Sequence, residues 1–286
     1  MKRSFVNPVF IDSGAHGLYN EFVKNVGGKN GYLWYETDEF KKYLDLFAKF
    51  VKDMNGKIVN YANVDVIFNP ELTYKSQKYL EEEHGLHPIP VVHADTDRKY
   101  LIRYLKDGYK YIALGGVGQK GSYSGYKKWA DEMFDIICDT KDRTPAVKVH
   151  GFAMTSHRLM TRYPWWSVDS TSWLRLSMYG QLIVPHLRGD QWRYDVPFHA
   201  IRVSNNPSKT KKRTTNHIME NIVERYLKEK GFVLGETNEK GEIIEKGVSN
   251  DTDMRSDANA MYFVDLCDSL PKWPWSFSLR KKLFAL

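Results

Sequence analysis

Cysteine is scarce: 286 residues hold two, Cys138 and Cys267, far apart in the chain. That excludes a disulfide scaffold and a structural zinc site built from several thiolates. No stretch approaches the ~20 consecutive apolar residues of a membrane-spanning helix. The basic start Met1-Lys2-Arg3 lacks the apolar run of a signal peptide. A soluble, cytoplasmic protein with no membrane partner is the expectation. Internal repeats and low-complexity tracts are missing too, which removes solenoids and propellers. What is present is ordinary for a globular chain: 42% hydrophobic and 27% charged residues, at a length that can bury its own core. Lys and Arg total 42 against 35 Asp and Glu, a formal charge of +7 that fits an anionic partner, nucleic acid first.

Short apolar runs alternate with amphipathic segments through the first two thirds of the chain. The runs lie at 9–11, 58–61, 64–68, 89–93, 109–114, 146–150, 165–169 and 182–185, with 196–201 a candidate last strand. Helical spacing of apolar residues marks 38–54, 72–84, 96–106 and 125–139. Such alternation predicts βα units around a parallel sheet, and the number of units fits a (β/α)₈ TIM-type barrel, with a doubly wound sheet as the alternative. Barrel chemistry gathers where strands end, and Asp12, Asn69, His93, Gly115-Gly116, His150 and Asp169 each close an apolar run. Turn formation alone explains any one of them; the set is harder to explain that way. The barrel is assigned to 1–205. Residues 206–286 form a basic extension packed on it, with helices at 215–230 and 255–270 and a hairpin or loop at 236–253.

Asp12 and Asp169 are the leading pair. Each has small neighbours, Ser13-Gly14-Ala15 and Ser170-Thr171-Ser172, that let a substrate approach and leave hydroxyls and N–H groups to hold it. Two carboxylates suit substitution at a sugar anomeric carbon, one attacking or stabilising, the other moving the leaving group's proton. The alternative is that both cap helices. Tyr163, Trp165, Trp166 and Trp173 surround Asp169 and read either as platforms for an unstacked base or as core. Cys138 and Cys267 read as core. A metal site from His93, His150 and His199 has no carboxylate spacing to support it.

The segments I-D-S-G-A-H at 11–16, L-G-G-V-G at 114–118, V-H-G-F-A-M-T at 149–155 and Y-P-W-W-S-V-D-S-T-S-W at 163–173 together resemble the tRNA-guanine transglycosylase superfamily. They resemble most its phage and bacterial branch, the DNA-guanine transglycosylases that insert 7-deazaguanines. The resemblance implies Asp169 as the nucleophile at C1′ and Asp12 as the acid/base on the leaving and entering bases. It implies that the backbone at Gly115 and Gly116 approaches the heterocycle. His93 falls where the tRNA enzymes carry a base-reading glutamine, and its role stays open. Asp65 and Asn69 bracket the strand that supplies a guanine-reading aspartate; either one can match. Ser13, Gly14, His150 and Trp166 complete the candidate substrate site. The tRNA enzymes' C-x-C-x-x-C zinc motif is missing, which moves the expected polymer from tRNA to DNA. The basic residues Lys209, Lys211, Lys212 and Arg213 are the candidate phosphate contacts. The expected reaction is exchange of guanine in DNA for a base such as 7-cyano-7-deazaguanine, with no cofactor or metal, in the host cytoplasm if phage-encoded. The same chemistry on tRNA and a nucleoside or base hydrolase are the alternatives; homodimerisation is left open.

Overall fold

The computed structural model describes residues 9–25, 29–54, 57–94, 96–116, 123–138, 141, 143–204 and 217–270. They gather in two units, one from the described residues of 1–153 with 164–168, the other from those of 154–163 with 169–277. The change of composition near residue 204 falls inside the second unit. The candidate phosphate contacts Lys209, Lys211, Lys212 and Arg213 lie outside the described residues.

In the first unit the β-branched runs become β1 (Val9–Ile11), β2 (Ile58–Tyr61), β3 (Val91–His93), β4 (Tyr111–Gly115), β5 (Lys148–Gly151) and β6 (Ser167–Val168). β1 pairs with β2, and β3, β4, β5 and β6 pair in that order, every pair parallel. A parallel bridge between Ala62 and Ile89 joins the two sets. Six strands therefore run side by side in chain order, and parallel direction puts all their C-terminal ends on one edge. One register row aligns Val91, Ala113, His150 and Ser167 across β3 to β6. Ala62, Ile89, Val91 and Ala113 form an apolar cluster there with Phe10, Tyr111 and Phe152 against it.

Helices α1 (Ala15–Leu18), α2 (Asp38–Asp53), α3 (Pro70–Glu82), α4 (Lys99–Lys106) and α5 (Tyr123–Ile137) connect these strands. α2 shows the local logic. The Thr37 hydroxyl accepts the Phe40 N–H, Asp38 and Glu39 suit the positive end of the helix dipole, and Lys52 the negative end. Phe40, Leu44, Phe47, Ala48 and Val51 recur at helical spacing and are buried. They pack with Leu18, Val64, Val66, Leu72 and Leu80. The run 64–68, expected as a strand, is not one. Its residues from Val64 to Ile67 are buried, but α3 side chains replace a sheet neighbour: Ser76 Oγ donates to Val64 O at 2.7 Å, and Thr73 Oγ1 accepts from Val66 N at 2.9 Å. Paired by hydroxyls, the segment needs no ladder.

The second unit contains α6 (His157–Met160), α7 (Ser172–Met178), β7 (Gln181–Val184), β8 (His186–Arg188), β9 (Gln191–Arg193), β10 (His199–Arg202), α8 (His217–Lys230), β11 (Glu236–Thr237), β12 (Ile243–Glu245) and α9 (Thr252–Ser269). All three of its strand pairs, β7 with β10, β8 with β9 and β11 with β12, are antiparallel. The β11–β12 hairpin was legible in sequence; β8–β9, turning at Gly189-Asp190, was not. Leu182, Val184, Ile201, Val223, Tyr226, Leu227 and Ala258 form its core. Two buried residues of α9 tie it together. Asn259 Nδ2 donates to Trp173 O, Ser177 Oγ and Gln181 O, and its Oδ1 accepts from Ile183 N. Arg255 donates to Ser177 O, Val248 O and Thr252 Oγ1. Cys138 is buried as expected, whereas Cys267, expected in the core, is exposed near the end of α9. No helix among the described residues is long and apolar enough to cross a membrane.

Candidate active site at the strand ends

β1 delivers Asp12 to the C-terminal edge of the sheet, exposed, followed by Ser13, which is only 3% exposed. The Ser13 hydroxyl has no hydrogen-bond partner among the described residues. Its carbonyl accepts from Tyr43 Oη of α2 at 2.8 Å, which fixes the turn after the strand. Gly14 sits at φ +76°, the left-handed region that disfavours side chains, and a Cβ there would come within 3.2 Å of Tyr43 Oη. Burial raises the Tyr43 hydroxyl above its ordinary pKa, and the charge of Asp12 adds to the effect. Asp12 does not cap the helix that follows: the N-cap of α1 is Gly14.

Beside it, β3 ends in His93, whose Nε2 lies 2.6 Å from Asp65 Oδ2, both groups buried. Asp65 comes from the segment held by α3, so an irregular run without a sheet partner places this carboxylate. Burial, and after it the charge of Asp65, pushes the Tyr35 hydroxyl well above its ordinary range. The hydroxyl of that buried residue also lacks a hydrogen-bond partner among the described residues. Gly115, the last residue of β4, stands over this pair: a Cβ there would lie 3.6 Å from the His93 ring and 3.8 Å from Phe152 Cβ. Gly116 adopts φ +87°, so the turn after the strand depends on glycine as well.

His150, one strand further, stacks on Phe10 at 4.4 Å and meets Phe152 edge-on at 4.6 Å. Its Nδ1 lies 2.6 Å from Ser167 Oγ, which is 2.5 Å from Tyr111 Oη. Burial raises the Tyr111 hydroxyl, opposed by its bond to Ser167. Asp65, His93 and Gly115 thus come together where β3 and β4 end, with Phe152 next to Gly115; His150 and Ser167 lie two residues earlier, level with Val91 and Ala113, and Phe10 joins them through His150. Period-two alternation from His150 and Asp169 points to Phe152 and Ser167. Tyr43 and Tyr35 had no sequence signal, because a helix and an irregular segment bring them in.

Two candidates go elsewhere. Asn69 spends its side-chain oxygen on the Leu72 N–H as the N-cap of α3, at 3.1 Å. Trp166 sits one residue before β6, its ring 4.1 Å from Lys148 Nζ at the start of β5, at the opposite edge of the sheet. Trp165 packs edge-on against Phe134, as core. In the second unit, Asp169 is half-buried and its carbonyl accepts from Met154 N at 2.7 Å. It is not a helix cap either: Thr171 is the N-cap of α7, and the Ser170 hydroxyl accepts from Ser172 N. His199 belongs to this unit and packs against His186, ring centroids 3.7 Å apart. Among the described residues no three His, Cys, Asp or Glu side chains form a group that could hold a metal.

No family model, curated protein or solved structure matches the chain. The functional reading therefore stands on the residues and on the arrangement of the strand ends.

Proposed function

We propose that the chain is a base-exchange transglycosylase that replaces guanine in DNA with a 7-deazaguanine, and that its six parallel strands belong to a (β/α)₈-type barrel. One observation carries the reading: the four segments that resemble the transglycosylases fall at the C-terminal ends of β1, β4, β5 and β6, in chain order. Chemistry collects at that edge in parallel barrels.

The reaction needs retention at C1′, hence two displacements. Asp169 attacks C1′: its carboxylate oxygen forms the new bond as the C1′–N9 bond breaks, and guanine takes a proton from Asp12. The incoming base then gives its N9 proton to Asp12 while N9 attacks C1′, and the Asp169 ester bond breaks. Charges and protons balance without another reactant, with one carboxyl acting first as acid and then as base. The Asp65–His93 pair offers an acceptor and an oriented imidazole to the heterocycle's edge. Phe10 and Phe152 supply apolar faces nearby.

Incubation of the protein with DNA and radiolabelled guanine tests this. Label should enter DNA, and a protein–DNA adduct should survive a denaturing gel. Asp169→Ala should abolish the adduct, and Asp12→Asn should slow its formation by at least a hundredfold. Label in tRNA alone, or abasic sites in place of exchange, overturns the reading.

A further inference from the structure

The other edge of the same parallel sheet, where the strands begin, carries an exposed tryptophan among cations. Lys110 precedes β4 and Lys148 opens β5; the Lys148 N–H donates to Lys110 O at 2.9 Å, so the two lysines enter adjacent strands. Trp166 is tied to them, its N–H donating to Val149 O at 2.8 Å and its ring lying 4.1 Å from Lys148 Nζ. The indole is 63% exposed. Both lysines are exposed, and neither forms an ion pair among the described residues. The acid of the turn before β4, Asp107, is engaged by the Tyr74 hydroxyl at 3.2 Å. Lys57, which enters β2, is exposed as well.

The Trp166 ring is the most exposed of the described tryptophans and presents its surface to solvent. The ammonium fixes the ring's orientation through a cation–π contact. An exposed indole beside the Lys148 ammonium, with Lys110 entering the neighbouring strand, has the two elements that bind an unpaired nucleic acid strand: a face on which a base stacks and positive charge nearby for phosphates. We propose that Trp166, Lys148 and Lys110 form a second nucleic-acid contact, which holds an unpaired stretch of the DNA substrate at the strand-entry edge. The choice of DNA rests on the proposed function; the stacking and phosphate chemistry does not. β4 spans five residues, roughly 17 Å at 3.3 Å per residue. Trp166 itself lies level with Val149 and Ile112, three residues or roughly 10 Å before the end of β4, which makes this a holding contact rather than part of the exchange chemistry.

Binding of fluorescent oligo(dT) without any entering base tests the proposal, because no turnover is needed. Trp166→Ala should weaken binding about tenfold, as expected for loss of one stacked base, while Trp166→Phe retains most of it. Replacing Lys110 and Lys148 together by Gln should lower the slope of log affinity against log salt by about 1.4. Thermal melting of each variant identifies any that fail to fold, and the conservative Phe and Gln replacements keep the test decisive if the Ala variant does. Unchanged affinity and salt slope, or no binding of the single strand by the unsubstituted protein, overturns the proposal. Preference for single-stranded RNA or for phosphatidylserine vesicles over oligo(dT) overturns it too. A protein that binds oligo(dT) through Trp166 but exchanges no base sinks the transglycosylase reading and leaves this contact standing.

Discussion

At Gly115 a single hydrogen in place of a side chain separates stability from function. A methyl group there would meet the His93 ring and Phe152 at ordinary contact distances, so Gly115→Ala should change stability by less than about 1 kcal/mol. In the proposed function it would also crowd the imidazole on the side from which the entering base approaches. The expected outcome is an unchanged melting temperature with KM for the entering base raised tenfold or more; equal kinetics would remove Gly115 from the site. His199 gives a residue-scale pH effect. Burial, and then the charge of His186, holds its pKa below the ordinary value of 6.5. The unfolded chain therefore takes up this proton first as pH falls. His199 contributes stability above about pH 6.5, and the contribution is lost on acidification toward its lower folded value. Replacing His186 with Ala should move the His199 titration upward in an NMR titration, and an unmoved curve would show that the stacked pair is not coupled.

Elements in this protein are held by buried polar side chains as much as by apolar faces. Ser76 and Thr73 anchor the irregular segment that presents Asp65, and Asn259 joins α9 to α7 and β7 through four hydrogen bonds. Truncating Asn259 would strand the Ile183 N–H and the Gln181 carbonyl inside the second unit. Asn259→Ala should cost about 3 kcal/mol in urea unfolding, since each buried group left unpaired costs about 1–3 kcal/mol. A loss below about 1 kcal/mol would mean that water replaces the amide. Sequence patterning located the helices well because apolar spacing is a local property. It misread 64–68 because a buried apolar run looks the same in sequence whether a ladder or a set of hydroxyls satisfies its backbone.

For the whole molecule, the charge of +7 makes any nucleic-acid complex salt-sensitive. Replacing Lys209, Lys211, Lys212 and Arg213 by Ser should reduce the salt slope for duplex DNA by about 3 to 4, if each cation neutralises one phosphate. An unaltered slope would remove that run from the interface. Amino-acid order alone determined the alternation of strands and helices, the scarcity of cysteine, the lack of a long apolar run, and the polar residues that end the strands. Those features depend on spacing and composition, which are written along the chain. Tertiary structure decided which strand-end residues meet. Asp65 reaches His93 through an irregular segment, Tyr43 reaches Ser13 from a helix 30 residues on, and Trp166 faces the entry edge although it stands three residues from Asp169. A parallel sheet has two distinct edges, and a residue's distance in sequence from a strand end does not say which edge its side chain serves.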